Sequence, residues 1–215
     1  MNTKLTVLVM LMIVSLRGLS QSEMSFGITT GYDQNYCLFQ DLPDETFNQV
    51  PDFNIGANVA WYLGERIRVR GEVKYVNLSF TRNFSTLEAD DNIDFTKLSV
   101  NNINLNPRFD YRLFSLKKFD CYFTTGLRFE FTLGDLVRTY NYAGENLDTD
   151  YIGIGEKHAS AMAGATGGFI FKYNFTPEFA FTLTPEYTSF FSEFYQRNNM
   201  ALQRASLNIG FEWAF

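Results

Sequence analysis

The sequence predicts an all-β protein, an eight-stranded antiparallel up-and-down transmembrane β-barrel that follows a cleaved signal peptide. Three observations lead to this fold class. Segments of about ten residues alternate aromatic or aliphatic residues with polar ones, as strands between lipid and a polar lumen do. Long and short connections alternate between these segments, which is typical of membrane barrels. Beyond residue 20, no apolar stretch approaches the roughly 20 residues of a spanning helix.

Residues 1–20 are predicted to be a secretory signal peptide that is cleaved before Gln21. A basic residue precedes an apolar run over residues 5–16, and small residues stand just before the expected cleavage site. A dozen apolar residues are too few for a spanning anchor. The barrel is therefore expected to occupy residues 21–215.

The alternation places eight strands in the mature chain. They are expected at about 24–33, 53–62, 67–75, 103–113, 120–131, 158–173, 179–187 and 205–215. Long loops are expected at 34–52, 81–97, 134–157 and 192–202, and short turns at 63–65, 114–118 and 174–178. Pro107 falls inside the fourth strand, where proline removes a ladder hydrogen bond, so we expect a β-bulge there. An even strand count places both termini at one end, the periplasmic end.

Ionised residues recur on one face of several predicted strands. In the third strand, four ionised residues alternate with aliphatic and aromatic residues. Because four charged side chains on one face cannot lie in lipid, this face is expected to line the lumen. The same phase in the other strands predicts a lumen charge network of Arg68, Arg70, Glu72, Lys74, Arg108, Asp110, Arg112, Asp120, Arg128, Glu130, Lys172, Glu186 and Glu212. Because eight strands enclose a lumen just wide enough for side chains, these groups should pair and plug it. A soluble barrel would instead place its apolar face inside.

The final strand has two unlike faces. Leu207, Ile209, Phe211, Trp213 and Phe215 lie on one side of the pleat, and polar or small residues lie on the other. This pattern resembles the C-terminal signal strand of bacterial outer-membrane barrels. The resemblance implies that Phe211, Trp213 and Phe215 form an insertion signal for the barrel-assembly machinery. We therefore expect an integral protein of the bacterial outer membrane, in contact with outer-membrane lipid.

Four segments, in their order and spacing, resemble the PorT-like outer-membrane β-barrel domain family of Bacteroidota. They are Ser25–Gly31, Arg70–Tyr75, Tyr122–Gly126 and Leu207–Phe215. One namesake of that family is an accessory component of a protein-secretion apparatus, and most members have no assigned role. The resemblance implies a non-enzymatic structural or partner-binding subunit, an accessory of a secretion or assembly machine that contacts other envelope proteins. It implies no catalytic residues.

One constellation supports an enzymatic alternative. His158 is the single histidine of the chain, Ser160 follows it, and a loop containing Asp148 and Asp150 precedes it. A nucleophile and base at the outer rim of an eight-stranded barrel resemble outer-membrane lipid A deacylases. Against this, the predicted phase turns His158 and Ser160 inward, away from acyl chains, and the surrounding residues do not match the longer motif of that family. The favoured interpretation is a solvated rim histidine.

Composition excludes several further classes. Removal of Lys4 and Arg17 with the signal reduces the 18 basic residues to 16 against 24 acidic ones, which argues against a nucleic-acid partner. Cys37 and Cys121 are expected at opposite ends of the barrel, too far apart for a disulfide. The acidic segment 88–94 lacks the glycine and the closing glutamate of a calcium-binding EF-hand loop, so it is interpreted as a solvated loop. No cofactor or metal is expected.

Overall fold

A computed structural model describes residues 24–38, 46–49, 51–83, 95–142, 145–152, 159–193 and 201–215. Within these ranges the chain forms ten β-strands: β1 (Met24–Leu38), β2 (Thr46–Gln49), β3 (Pro51–Tyr62), β4 (Ile67–Asn83), β5 (Phe95–Leu116), β6 (Phe119–Tyr142), β7 (Glu145–Ile152), β8 (Ala161–Asn174), β9 (Phe179–Glu193) and β10 (Ala201–Ala214). The predicted signal peptide lies outside the described residues.

Eight of the strands close an antiparallel barrel, which confirms the predicted fold class. The order around the barrel is β1, β3, β4, β5, β6, β8, β9 and β10, and β10 pairs again with β1. The short strands β2 and β7 only extend β4 and β6. Turns over residues 63–66, 117–118 and 175–178 lie at one end of the barrel, which we call the turn end. The opposite end is the loop end.

The strand register sets the width of the barrel. Following paired residues once around the barrel from Met24 leads back to Gln34, ten residues further along β1. For eight strands with the usual spacings, this stagger gives a tilt of about 40° and a backbone radius of about 8 Å. Such a lumen accommodates side chains and little else.

Several strands are longer at the loop end than predicted. β1 and β4 run into the expected loops 34–52 and 81–97, and β5 begins inside the second of them. β6 continues to Tyr142 and pairs with β7, so much of the expected loop 134–157 is a hairpin. At this end apolar side chains such as Leu78 and Val100 lie on the inner face, so the alternation of outward apolar and inward polar residues no longer marks the strand, whereas backbone hydrogen bonding continues. The expected loop boundaries were therefore wrong.

The β-bulge expected at Pro107 was also wrong. Pro107 pairs with Gly71 of β4 in an unshifted register, and the ladder between β5 and β6 keeps one register on either side of the proline. The register shifts of this ladder lie elsewhere, between Ser99 and Asn101 and between Arg112 and Phe114. Proline lacks one donor, and the flanking ladder bonds hold the strand in place without an inserted residue.

Glycines on the inner face allow the lumen to be filled. A Cβ atom would approach a neighbouring atom to less than 3.0 Å at Gly27, Gly31, Gly56, Gly126, Gly164, Gly168 and Gly210. At Gly126 that neighbour is the backbone carbonyl oxygen of Pro107, which cannot move aside as a side chain would. These positions leave room for the long side chains that enter the lumen from adjacent strands.

Candidate functional site: the charged lumen

The lumen is filled by charged side chains of both signs. Of the thirteen predicted network residues, all except Arg112 are at most 8% exposed. Across the described residues the buried groups comprise seven cations and eight anions. Each of these seven cations lies within 3.6 Å of a carboxylate oxygen. The ion pairs form three clusters that follow one another along the barrel axis.

The turn-end cluster consists of Arg68, Arg70, Asp110, Lys172 and Glu212. Glu212 of β10 accepts hydrogen bonds from Lys172 Nζ at 2.5 Å and from the hydroxyl of Tyr62 at 2.9 Å. Arg68 of β4 joins two carboxylates, because its Nε donates to Asp110 at 2.8 Å and its Nη1 to Glu212 at 3.0 Å. The cluster thus links β4, β5, β8 and β10 across the lumen.

The central cluster consists of Glu72, Lys74, Arg108, Arg128 and Glu186. Glu186 of β9 is its hub: it accepts a short hydrogen bond from Arg108, and its Oε1 lies 3.6 Å from Lys74 Nζ and 3.5 Å from Arg128 Nη2. Glu72 pairs with Arg108 at 3.1 Å and with Lys74 at 3.3 Å. Since all five groups are buried, each charge depends on its partners for compensation.

The loop-end cluster is built around an ion pair that was not predicted. Arg204 of β10 donates to both carboxylate oxygens of Glu130, at 2.8 and 3.1 Å, and its Nε donates to the amide oxygen of Asn35 at 2.6 Å. Asn35 in turn donates to Asp52 at 2.7 Å. Asp33 is buried beside them and accepts a hydrogen bond from Asn54.

The network residues that sequence reasoning missed all lie at the ends of predicted strands. Asp52 and Arg204 each stand one step outside a predicted strand, and Asp33 is the last residue of another. All three have the same phase as the inward residues beside them. Extending the inward phase by one residue would have identified Asp52 and Arg204, and applying it to the last residue of the first strand would have identified Asp33.

Two predicted network residues lie outside the ion-pair clusters. Asp120 is buried but accepts its hydrogen bond from the amide of Asn174, at 2.8 Å. Arg112 is only half-buried and makes no ion pair with any described residue. It lies next to the register shift between Arg112 and Phe114, where β5 nears the turn end. Arg112 and Asp120 therefore belong to the mouth of the lumen.

Apolar side chains close the lumen at its loop end. Six buried residues share the inward phase there: Val76, Leu78, Val100, Met162, Phe190 and Leu202, each at most 4% exposed. The ring of Phe190 lies 5.5 Å from the guanidinium carbon of Arg204, so the apolar layer rests directly on the loop-end cluster. The charged clusters and the apolar layer together occupy the described lumen from the turn-end cluster to the loop end.

The outer face carries the opposite chemistry. Its exposed side chains are large and apolar on every strand of the barrel, as at Phe53, Val73, Leu105, Leu127 and Phe211. Aromatic rings follow one another around the turn end, for example Phe179 stacked on Phe211 at 5.5 Å. Among the described residues, no helix is long and apolar enough to cross a membrane.

The residues proposed as an insertion signal lie at this aromatic end. Phe211 and Trp213 share the outward phase, and Trp213 stacks on Phe26 with ring centroids 6.5 Å apart. Phe215 is 83% exposed, and its backbone N–H donates to the carbonyl of Met24 at 2.8 Å. The closing residue is thus tied to the barrel by its backbone while its ring stays accessible.

The remaining candidate groups are placed only in part. His158 and the segment 88–94 lie outside the described residues. Ser160 is exposed beside the start of β8, where its carbonyl accepts the backbone N–H of Thr132 at 3.0 Å. Cys121 is a buried free thiol near the turn end of β6, and Cys37 lies near the loop end of β1. In the part of the chain that the structure describes, no three His, Cys, Asp or Glu residues could hold a metal ion together.

No family model and no curated protein matches the chain. Solved structures are similar in fold. The outer membrane protein OprG from Pseudomonas aeruginosa is 12% identical, with 89% of this chain and 95% of that chain covered at a TM-score of 0.56. Neisserial surface protein A is 12% identical over 88% of this chain and 97% of that chain, with a TM-score of 0.47. Ail of Yersinia pestis is 12% identical over 90% of this chain and 99% of that chain, with a TM-score of 0.46. At these identities the likeness shows the fold alone.

Proposed function

We propose that this chain is an integral outer-membrane β-barrel that acts without catalysis, as a structural or partner-binding subunit. The observation that supports this most directly is the occupied lumen. Buried charged side chains form ion pairs along it from the turn end toward the loop end, and an apolar layer closes the loop end. A filled lumen offers no continuous path for a solute. Recognition of partners would therefore fall to the surfaces at the two ends of the barrel.

The outer face supports the membrane location. A closed barrel leaves no unpaired strand edge, and an apolar exterior around a charged interior is stable in lipid but not in water. In this proposal the signal peptide exports the chain, and the barrel-assembly machinery recognises Phe211, Trp213 and Phe215. The loop end then faces outward, and both termini face the periplasm.

We place the chain in the PorT-like family and assign it an accessory role in a secretion or assembly machine. The four segments that resemble the family lie on β1, β4, β6 and β10, and each of these strands contributes a charged residue to the lumen network. The partners would be other envelope proteins, with outer-membrane lipid around the barrel and no nucleic acid.

Co-purification tests this assignment. A tag placed directly after Gln21 leaves the aromatic end of the chain native, and the protein is then extracted in a mild detergent and its partners are identified by mass spectrometry. An unrelated eight-stranded barrel with the same tag serves as the control. We expect envelope proteins in constant ratio to the chain that are absent from the control. Recovery of the chain with the same proteins as the control would refute the partner-binding role.

A lipid analysis tests the enzymatic alternative. Lipid A mass spectra of strains with His158→Ala or Ser160→Ala should match those of the wild type, because the proposed protein carries out no acyl hydrolysis. If either substitution abolished the trimming of an acyl chain, the protein would be a lipid-modifying hydrolase. A matched Ser192→Ala strain would show whether any change is specific to these two residues.

A further inference from the structure

A cavity of about 410 Å³ opens at the turn end of the lumen. Four of its lining residues are cations, Arg112, Lys117, Lys118 and Lys172, and one, Asp120, is an anion. The cavity lies where the lumen meets the turns, beyond the charge-paired interior. Its lining is therefore far more positive than the lumen behind it.

Most of this positive charge has no partner within the protein. Lys172 is compensated by Glu212, 2.5 Å away, and Asp120 is occupied by the amide of Asn174. Arg112, Lys117 and Lys118 make no ion pair or side-chain hydrogen bond with any residue that the structure describes. Three cations without a protein partner around one open cavity form a site for an anion.

The backbone at the rim gives an independent indication. Lys117 has a φ of 49°, and in the described ranges it is the sole non-glycine residue with a positive φ. It stands in the two-residue turn between β5 and β6, a position that glycine or asparagine usually occupies. The turn thus carries a lysine at a position where the backbone conformation favours glycine. Arg112 continues the inward phase of β5, and its partner in the ladder is Tyr122, which also lines the cavity.

We propose that this cavity binds a phosphate group, presented by a soluble phosphorylated molecule or by a phospholipid headgroup. A phosphate carries up to two negative charges and several acceptor oxygens. The guanidinium of Arg112 can engage two of these oxygens, while Lys117 and Lys118 supply compact charges. This site is separate from the proposed partner-binding role and does not depend on it.

Calorimetry on the intact barrel tests the proposal. Inorganic pyrophosphate is titrated into wild-type protein in an uncharged detergent, and we expect saturable binding. The double substitution Lys117→Gln with Lys118→Gln should weaken binding at least about tenfold, since two charge-assisted contacts are lost. Arg66→Gln is the matched control, because Arg66 lies in the neighbouring turn, contacts Tyr111 at 3.4 Å and does not line the cavity. It should leave binding unchanged.

The outcomes separate the site from nonspecific attraction and identify the source of the phosphate. Absence of saturable binding to wild type, or an equal loss with Arg66→Gln, overturns the proposal. The titration is repeated in nanodiscs that contain phosphatidylglycerol. If this lipid abolishes pyrophosphate binding, the ligand is a phospholipid headgroup. If pyrophosphate still binds, the ligand is a soluble phosphorylated molecule. Heat-dependent migration on gels verifies that each variant is folded, and Arg112→Gln replaces the double variant if the latter fails to fold.

Discussion

Glu186 is the residue on which the charge balance of the central lumen depends. Three cations from three different strands converge on its carboxylate, and none of them has access to bulk water. A buried charge that loses its partner costs far more than the pair contributes, because its desolvation is no longer offset. Arg108 and Lys74 also pair with Glu72, whereas Arg128 pairs with Glu186 alone among the described residues.

The substitution Glu186→Gln should lower the free energy of unfolding by about 3 kcal/mol or more, since the side chain keeps its shape but leaves Arg108, Lys74 and Arg128 without their shared charge. Glu178→Gln is the control, because Glu178 is exposed in the turn 175–178 and should change stability by less than about 0.5 kcal/mol. Urea titrations of both variants in detergent micelles measure the difference. Equal midpoints for Glu186→Gln and wild type would show that the cluster is not structural.

At the scale of the element, the existence and the facing of the strands were predictable from the sequence, but their lengths were not. The alternation of outward apolar and inward polar residues marks a strand only where the lumen is polar, so it ended where apolar residues such as Leu78 and Val100 line the lumen. The loop-end pair of Glu130 with Arg204 was incomplete in the prediction for another reason, because Arg204 stands one residue before the predicted start of the final strand. Pro107 shows the opposite error. The missing hydrogen-bond donor of proline predicted a β-bulge, but the hydrogen bonds of the neighbouring residues keep the strand in an unshifted register.

Close packing between strands supplies the prediction at this scale. Gly126→Ala should destabilise the barrel by about 1–3 kcal/mol, because the new methyl group would meet the carbonyl oxygen of Pro107 and force two adjacent strands apart. Gly71→Ala is the matched control on the outer face, where a Cβ meets nothing within 4 Å. It should leave thermal stability unchanged or slightly higher. The experiment compares the two melting temperatures, and a similar loss in both would contradict the packing argument.

For the whole molecule, the ten-residue stagger and the three clusters together predict a sealed barrel. Purified wild-type protein in planar bilayers should show negligible ion conduction, because the charged side chains and the apolar loop-end layer occupy the lumen. A 16-stranded porin, whose wider lumen is a water-filled channel, is the positive control. Stable and sizeable currents from the wild-type barrel would refute the plugged lumen.

The aromatic turn end has a spectroscopic consequence. The chain has two tryptophans, Trp61 and Trp213, and both lie on the outer face one residue before their strands end, at the same rim of the barrel. Intrinsic fluorescence should therefore report the polarity at one bilayer surface only. Brominated lipids should quench it strongly when the bromines lie near the headgroups and weakly when they lie at the bilayer centre, and Trp61→Phe should preserve that preference. During insertion, the tryptophan emission would change when the turn-end rim reaches the bilayer interface. It would not respond to the position of the loop-end rim.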